Sequence, residues 1–271
     1  MVFLIFDTNM GLCNQFYDII SGINFCLIHN IFFTFRNCVF RSDDLVTWQE
    51  EPFEKLFDLM FLNECKLYVN YYNIKDKLTC DNCFNLNDNL LAYVTFNNNN
   101  ILDQLINLNK EYIVLKQFWS LYNFQQIIDN TIKCHIRPSK EIMEKYIEIK
   151  NTIIKDEPYN YIHYRYEKDF TDYFKIEVDT LDKTIENIKF KNSNLKIYIA
   201  TSNIKSLLKL NDSKYINLIY KNDDVLMDLN FEQRAFIDYM FGLNSEECYG
   251  HAASSFSHML NDIKKTNNYY G

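Results

Sequence analysis

From residue 159 onward, short apolar runs alternate with stretches of helical period, and this alternation restricts the chain more than any other feature. Residues 159–164 read as a strand and 181–188 as a helix, then 195–200 as a strand and 204–210 as a helix. Residues 215–219 and 248–249 continue the strands, and 231–243 and 255–265 continue the helices. Strands separated by helices argue a parallel sheet, because parallel neighbours must be joined by a crossover. The start of the chain shows the same pattern. Residues 2–6 form a strand and Gly11-Leu12-Cys13-Asn14-Gln15 a loop, and Phe16, Ile19, Ile20, Ile23 and Leu27 recur at helical spacing. A second strand follows at 31–35. The middle reads less sharply, as helix at 53–61, strand at 66–71, strand at 91–96, helix at 101–108 and strand at 112–115. Pro138 suits the first turn of a helix running to about residue 154. The turn Asp156-Glu157-Pro158 then divides the chain into domains 1–156 and 157–271 of an α/β protein.

Composition narrows the function. The chain has 271 residues, 48% of them hydrophobic, which is ample for packed cores. The net charge is -8 without a basic run, which argues against nucleic acid as a partner but leaves room for a nucleotide held by local cations. With Gly 5 and Pro 3, the turns are expected to rely on Asn and Asp. No apolar run is long enough for a signal peptide or a membrane span, so a cytoplasmic location with free thiols is expected for the 8 cysteines. Cys80-Asp81-Asn82-Cys83 has zinc-like spacing, but Cys65 and Cys134-His135 complement it loosely, and no metal is expected.

Tyr161-Ile162-His163-Tyr164-Arg165-Tyr166-Glu167-Lys168-Asp169-Phe170 is a strand ending in charge. His163 and Arg165 are two apart and project together. Arg165 suits a bidentate clamp on a diphosphate or, equally, a salt bridge to Glu167 or Asp169. His163 is a ligand to sugar or phosphate, or a satisfied core residue. Gly250-His251-Ala252-Ala253-Ser254-Ser255-Phe256-Ser257 leads small residues and hydroxyls into a helix. Such a start receives phosphate, and Ser254 or Ser255 also suits plain capping. Asn14 and Gln15 suit a ligand contact at a strand-to-helix turn, or a cap. Asp238, in an apolar helix, needs a functional edge or a partner such as Arg234.

In this order the blocks resemble the GDP-fucose-dependent fucosyltransferases, with the protein O-fucosyltransferases nearest. Gly11-Leu12-Cys13-Asn14-Gln15 resembles the "G…NQ" loop. His163 to Phe170 resembles "H-x-R-x-x-x-D-W", with Phe170 as the aromatic. Ile197-Tyr198-Ile199-Ala200-Thr201 resembles "V-Y-V-A-T-D", with Ser202 in place of the Asp. Phe236-Ile237-Asp238-Tyr239 through Ser254-Ser255-Phe256-Ser257 resembles the last block. The resemblance implies a GT-B glycosyltransferase with two Rossmann-like domains facing a cleft. Residues 1–156 would be the acceptor side and 157–271 the nucleotide-sugar side. It implies inverting transfer of fucose from GDP-fucose to a protein or glycan hydroxyl, with no required cofactor. Arg165 and Asp169 would be catalytic, and Asn14, His163, Asp238, Ser254, Ser255 and Phe256 would bind the donor. Ser202 keeps a different nucleotide-sugar open, and the altered first loop keeps open an inactive glycan-binding or scaffolding relative.

Overall fold

The computed structural model describes residues 2–42, 47–86, 100–118, 136–202, 217–221, 226 and 228–271, with backbone alone at 168 and 169. The strand expected at 91–96, the helix expected at 204–210, residues 215–216, Cys134 and His135 lie outside the described residues. By packing, the chain forms two compact units, Met1–Lys140 and Glu141–Gly271. The long helix before the expected boundary at 156 therefore goes with the second unit. Its buried Tyr146 meets Phe241 of that unit edge-on at 5.0 Å.

In the first unit, β1 (Phe3–Asp7) lies between β2 (Phe32–Phe35) and β6 (Tyr112–Lys116), and β5 (Cys83–Asn85) completes a parallel sheet of order β2-β1-β6-β5. Helix α1 (Leu12–His29) starts immediately after Gly11, so Leu12 to Gln15 are its first turn rather than a loop. It ends on left-handed Asn30, whose N–H donates to the Cys26 carbonyl. The antiparallel hairpin of β3 (Asn37–Arg41) and β4 (Trp48–Pro52) is not anticipated by the sequence, because β4 is polar and largely exposed. The helix expected at 53–61 is a 3-10 turn at Phe53–Lys55 and one turn of α2 (Met60–Asn63). Phe53 stacks between Phe35 at 4.8 Å and Phe57 at 4.7 Å, so its apolar spacing reflects an aromatic core and not a long helix. The strand expected at 66–71 shrinks to a bridge of Tyr68 to Phe33. Helix α3 (Ile101–Asn107) precedes β6 as expected. Pro138 bridges to Phe57, so α4 (Lys140–Ile153) begins after it.

In the second unit, β7 (Tyr159–His163), β8 (Lys196–Ala200), β9 (Leu218–Ile219), β10 (Cys248–His251) and β11 (Tyr269–Tyr270) form a parallel sheet of order β11-β10-β7-β8-β9. The helices are α5 (Lys168–Phe174), α6 (Leu181–Asn187), α7 (Phe231–Asn244) and α8 (Ser255–Lys264). The chain runs outward from β7 to β9, then returns to the other side of β7 as β10. This reversal is the switch point at which open α/β sheets bind ligands. Side chains of β7 alternate. Ile162 packs with Leu181 and Ile188 on the α6 face, while Tyr161 stacks on Tyr198 at 5.8 Å, and Tyr198 on Phe241 of α7 at 4.3 Å.

Asn30, Asn109 and Asp156 hold positive φ as expected of a glycine-poor chain, but Lys155, Lys175 and Lys265 do so too. Among the described residues, no helix is long and apolar enough to cross a membrane. At Gly250 a Cβ would stand 2.2 Å from Ser257 Oγ, so the bare backbone of β10 is what admits α8. Gly250→Ala should therefore destabilise the protein by about 1–3 kcal/mol in urea unfolding. An unchanged midpoint would contradict this packing.

Candidate active site

The carboxyl ends of β7 and β10 are adjacent, with His163 paired in register to Gly250. His163 lies on the α7/α8 face of the sheet. Its ring stacks on Phe256 at 4.2 Å, and its Nδ1 is 3.0 Å from Ser257 Oγ. Burial, helped by the charge of Arg165, pushes its pKa down to about 3. The imidazole is therefore neutral near pH 7.

Arg165 follows two residues later. Its Nε is 2.8 Å from a Glu167 carboxylate oxygen, an ion contact without the alignment of a hydrogen bond. Its guanidinium carbon lies 5.1 Å from the centre of the Phe170 ring, on α5. Burial opposes ionisation of Glu167, but Arg165 and the Ser202 hydroxyl, 2.7 Å from the other oxygen, outweigh it and hold the carboxyl below its usual range. The salt-bridge reading of Arg165 is thus realised with Glu167. Asp169 lies in the first turn of α5, and its side chain is outside the described residues.

After β10, Ser254 is the buried N-cap residue of α8, and its hydroxyl makes no capping bond. Ser255 opens the helix, whose first-turn amides carry the positive end of the helix dipole. The Ser257 hydroxyl is committed to His163. His251 accepts the Ala253 N–H at 3.0 Å and meets Phe170 edge-on at 5.0 Å. A cavity of about 600 Å³ on the α6 side, walled by Glu177, Asp179, Thr184 and Lys189, shares His251 and Tyr270 with this site.

The structure thus gathers His163, Arg165, Ser254, Ser255 and Phe256 on two neighbouring strand ends. Asp238 has a different setting. Tyr198 donates to one of its oxygens at 2.8 Å, and Lys221 forms a buried ion pair with the other. Asn14 belongs to the first unit, on the first turn of α1, with its amide 3.9 Å from the Met10 sulfur. Gln15 is fully buried and pins that turn. It accepts from Thr8 at 2.7 Å and from the Val39 N–H at 3.2 Å, and donates to the Val39 carbonyl at 2.8 Å. At the end of β1, Asp7 pairs with Arg36 although burial pushes its carboxyl up. Among the described residues no cluster suits a metal, and Cys65, Cys80 and Cys83 are free thiols.

Sequence reasoning missed Tyr270. Its hydroxyl donates to the His163 carbonyl at 2.7 Å and accepts the Arg165 N–H at 3.1 Å. No local pattern announces this, since the bonds reach past β10 to the end of β7.

No protein-family model matches the chain, and no curated protein matches it by sequence. Solved structures do match by fold. NodZ alpha-1,6-fucosyltransferase soaked with GDP-fucose aligns with TM-score 0.61 at 11% identity, over 97% of this chain and 92% of that one. The fold is that of the fucosyltransferases. POFUT1 in complex with GDP-fucose aligns with TM-score 0.61 at 11% identity, over 100% of this chain and 98% of that one. Fucosyltransferase NodZ from Bradyrhizobium aligns with TM-score 0.60 at 11% identity, over 96% and 92%. The α/β class read from the strand–helix alternation is thus shared with these fucosyltransferases, despite 11% sequence identity.

The neutral state of His163 has a pH signature. The unfolded chain binds a proton at this histidine below its usual 6.5, while the folded chain resists until about 3. Stability should therefore fall as pH drops from 6.5 toward 3. His163→Gln should flatten that slope in urea unfolding at stepped pH. An equal slope in both proteins would show that His163 is not the buried neutral group.

Proposed function

We propose that the protein is an inverting fucosyltransferase that moves fucose from GDP-fucose to a hydroxyl of a protein or glycan acceptor. The observation that carries this is Arg165, which follows the end of β7 next to β10, the strand that leads into α8, in a fold shared with structures containing GDP-fucose.

In this reading the bond from the fucose anomeric carbon to the β-phosphate oxygen breaks, and its electron pair stays on the phosphate. The acceptor oxygen bonds that carbon from the opposite face and releases its proton to water, since the departing diphosphate leaves no need for a strong base. Negative charge grows on the leaving diphosphate, and a preorganised cation there lowers the barrier. Arg165 supplies it, with Glu167 and Phe170 fixing the guanidinium. Ser254, Ser255 and the first-turn amides of α8 take phosphate oxygens. His163 and Phe256 line the nucleotide, Asn14 keeps the donor-binding role and Asp169 the catalytic role that the resemblance assigns them. Asp238 supports this floor from within, through Tyr198 of β8.

A different nucleotide-sugar is the second reading. It is favoured by Ser202, whose hydroxyl is engaged with Glu167 at the end of β8, where the related enzymes carry Asp. A thermal-shift panel of GDP, UDP, TDP and ADP separates the two readings. At a hundred times its dissociation constant the right nucleotide should stabilise the fold by about 2.7 kcal/mol.

Arg165→Ala should lower turnover of GDP-fucose by about 10²–10³-fold. Arg165→Lys, which keeps a cation beside Glu167, should also lose most turnover because the planar fork is gone. Full activity in either variant would contradict the assigned role.

A further inference from the structure

We propose that Tyr270 is a positioning residue for Arg165, a latch from β11 that fixes the direction in which the chain leaves β7. The inference rests on the diphosphate role given to Arg165 above. β11 is hydrogen-bonded to β10, with His251 opposite Tyr270. The Tyr270 side chain nevertheless reaches the end of β7, where one hydroxyl joins two backbone groups: the carbonyl of His163 at 2.7 Å and the N–H of Arg165 at 3.1 Å.

These groups flank Tyr164, just where the ladder runs out. The Tyr164 N–H still finds the Ala200 carbonyl of β8 at 2.8 Å. On the other side β10 ends at His251, and the last register pair is Gly250 with His163. The phenol takes over where that strand stops. The other contacts of Arg165 described here, with Glu167 and Phe170, hold the guanidinium to the loop and α5. The phenol instead ties its backbone to the sheet that carries α8. That matters because a small misplacement of a charge-stabilising group costs rate rather than binding.

The ring is set edge-on to His251 at 5.5 Å, and burial raises its pKa, so the hydroxyl keeps the proton that it donates. A phenylalanine would preserve the packing and lose both bonds.

The experiment is Tyr270→Phe in the full chain. The variant should lose about 10- to 100-fold in kcat while KM for the donor stays within about twofold. In an Arg165→Ala background, Tyr270→Phe should cost nothing further, because a residue acting through Arg165 has nothing left to position. Tyr269→Phe removes the neighbouring phenol's bond to His258 at 2.9 Å and is the packing control, expected to keep full kcat. Unchanged kcat in Tyr270→Phe, an equal loss in both backgrounds, or a Tyr270→Phe chain that does not fold would overturn the proposal.

A donor-independent readout separates this from the fucosyltransferase assignment. The Nε–H resonance of Arg165, identified by its loss in Arg165→Lys, should shift or broaden in Tyr270→Phe. If the wild type turns over no nucleotide-sugar but that resonance moves, the reaction assignment fails and the latch stands. If the resonance is unmoved, the latch fails.

Discussion

Two neighbouring parallel strands, β7 and β10, send the chains that follow them to opposite faces of one sheet. The helices after β7 pack toward Ile162, and the helix after β10 packs toward His163 through Phe256. The candidate site is built on their shared carboxyl end, where Arg165 follows β7 and Ser254 and Ser255 open the helix that follows β10. Gly250 sets how closely that helix lies on β10, because a side chain there would meet Ser257 of α8.

Holding a cation at such a place requires its neighbours to be arranged with equal care. Glu167 balances the charge of Arg165, and Ser202 balances Glu167. His163 stays neutral beside the guanidinium because its burial outweighs protonation. Tyr270 satisfies the Arg165 N–H beyond the end of β10 and adds a second donor to the His163 carbonyl. Deeper in the same unit, Lys221, Asp238 and Tyr198 form a second buried polar group in which both carboxylate oxygens are used. Leaving either partner alone there would be costly, which accounts for a charged residue within the apolar α7.

The legible parts of the sequence were those with local causes. Alternating strands and helices in the second half follow from periodicity, and β7, β8, α7 and α8 appear where the pattern puts them. His163, Arg165, Ser254, Ser255 and Phe256 come together because strand ends and helix starts can be read one element at a time. The hairpin of β3 and β4 was hidden because its outer strand is polar and exposed. The aromatic stack of Phe35, Phe53 and Phe57 imitated a helix. The roles of Gln15 and Tyr270 were illegible for a different reason. Gln15 bonds to β3 and Tyr270 to β7, and both depend on neighbours that only the sheet order brings near. Helix α4 belongs with the second unit through Tyr146 on Phe241, which no turn signal reveals.

A crystal structure of the protein with bound GDP tests the central claim most directly. The account predicts the β-phosphate about 3 Å from the guanidinium of Arg165 and from the first-turn amides of α8. A diphosphate bound away from both, with Arg165 still on Glu167 and turned from the ligand, would contradict it.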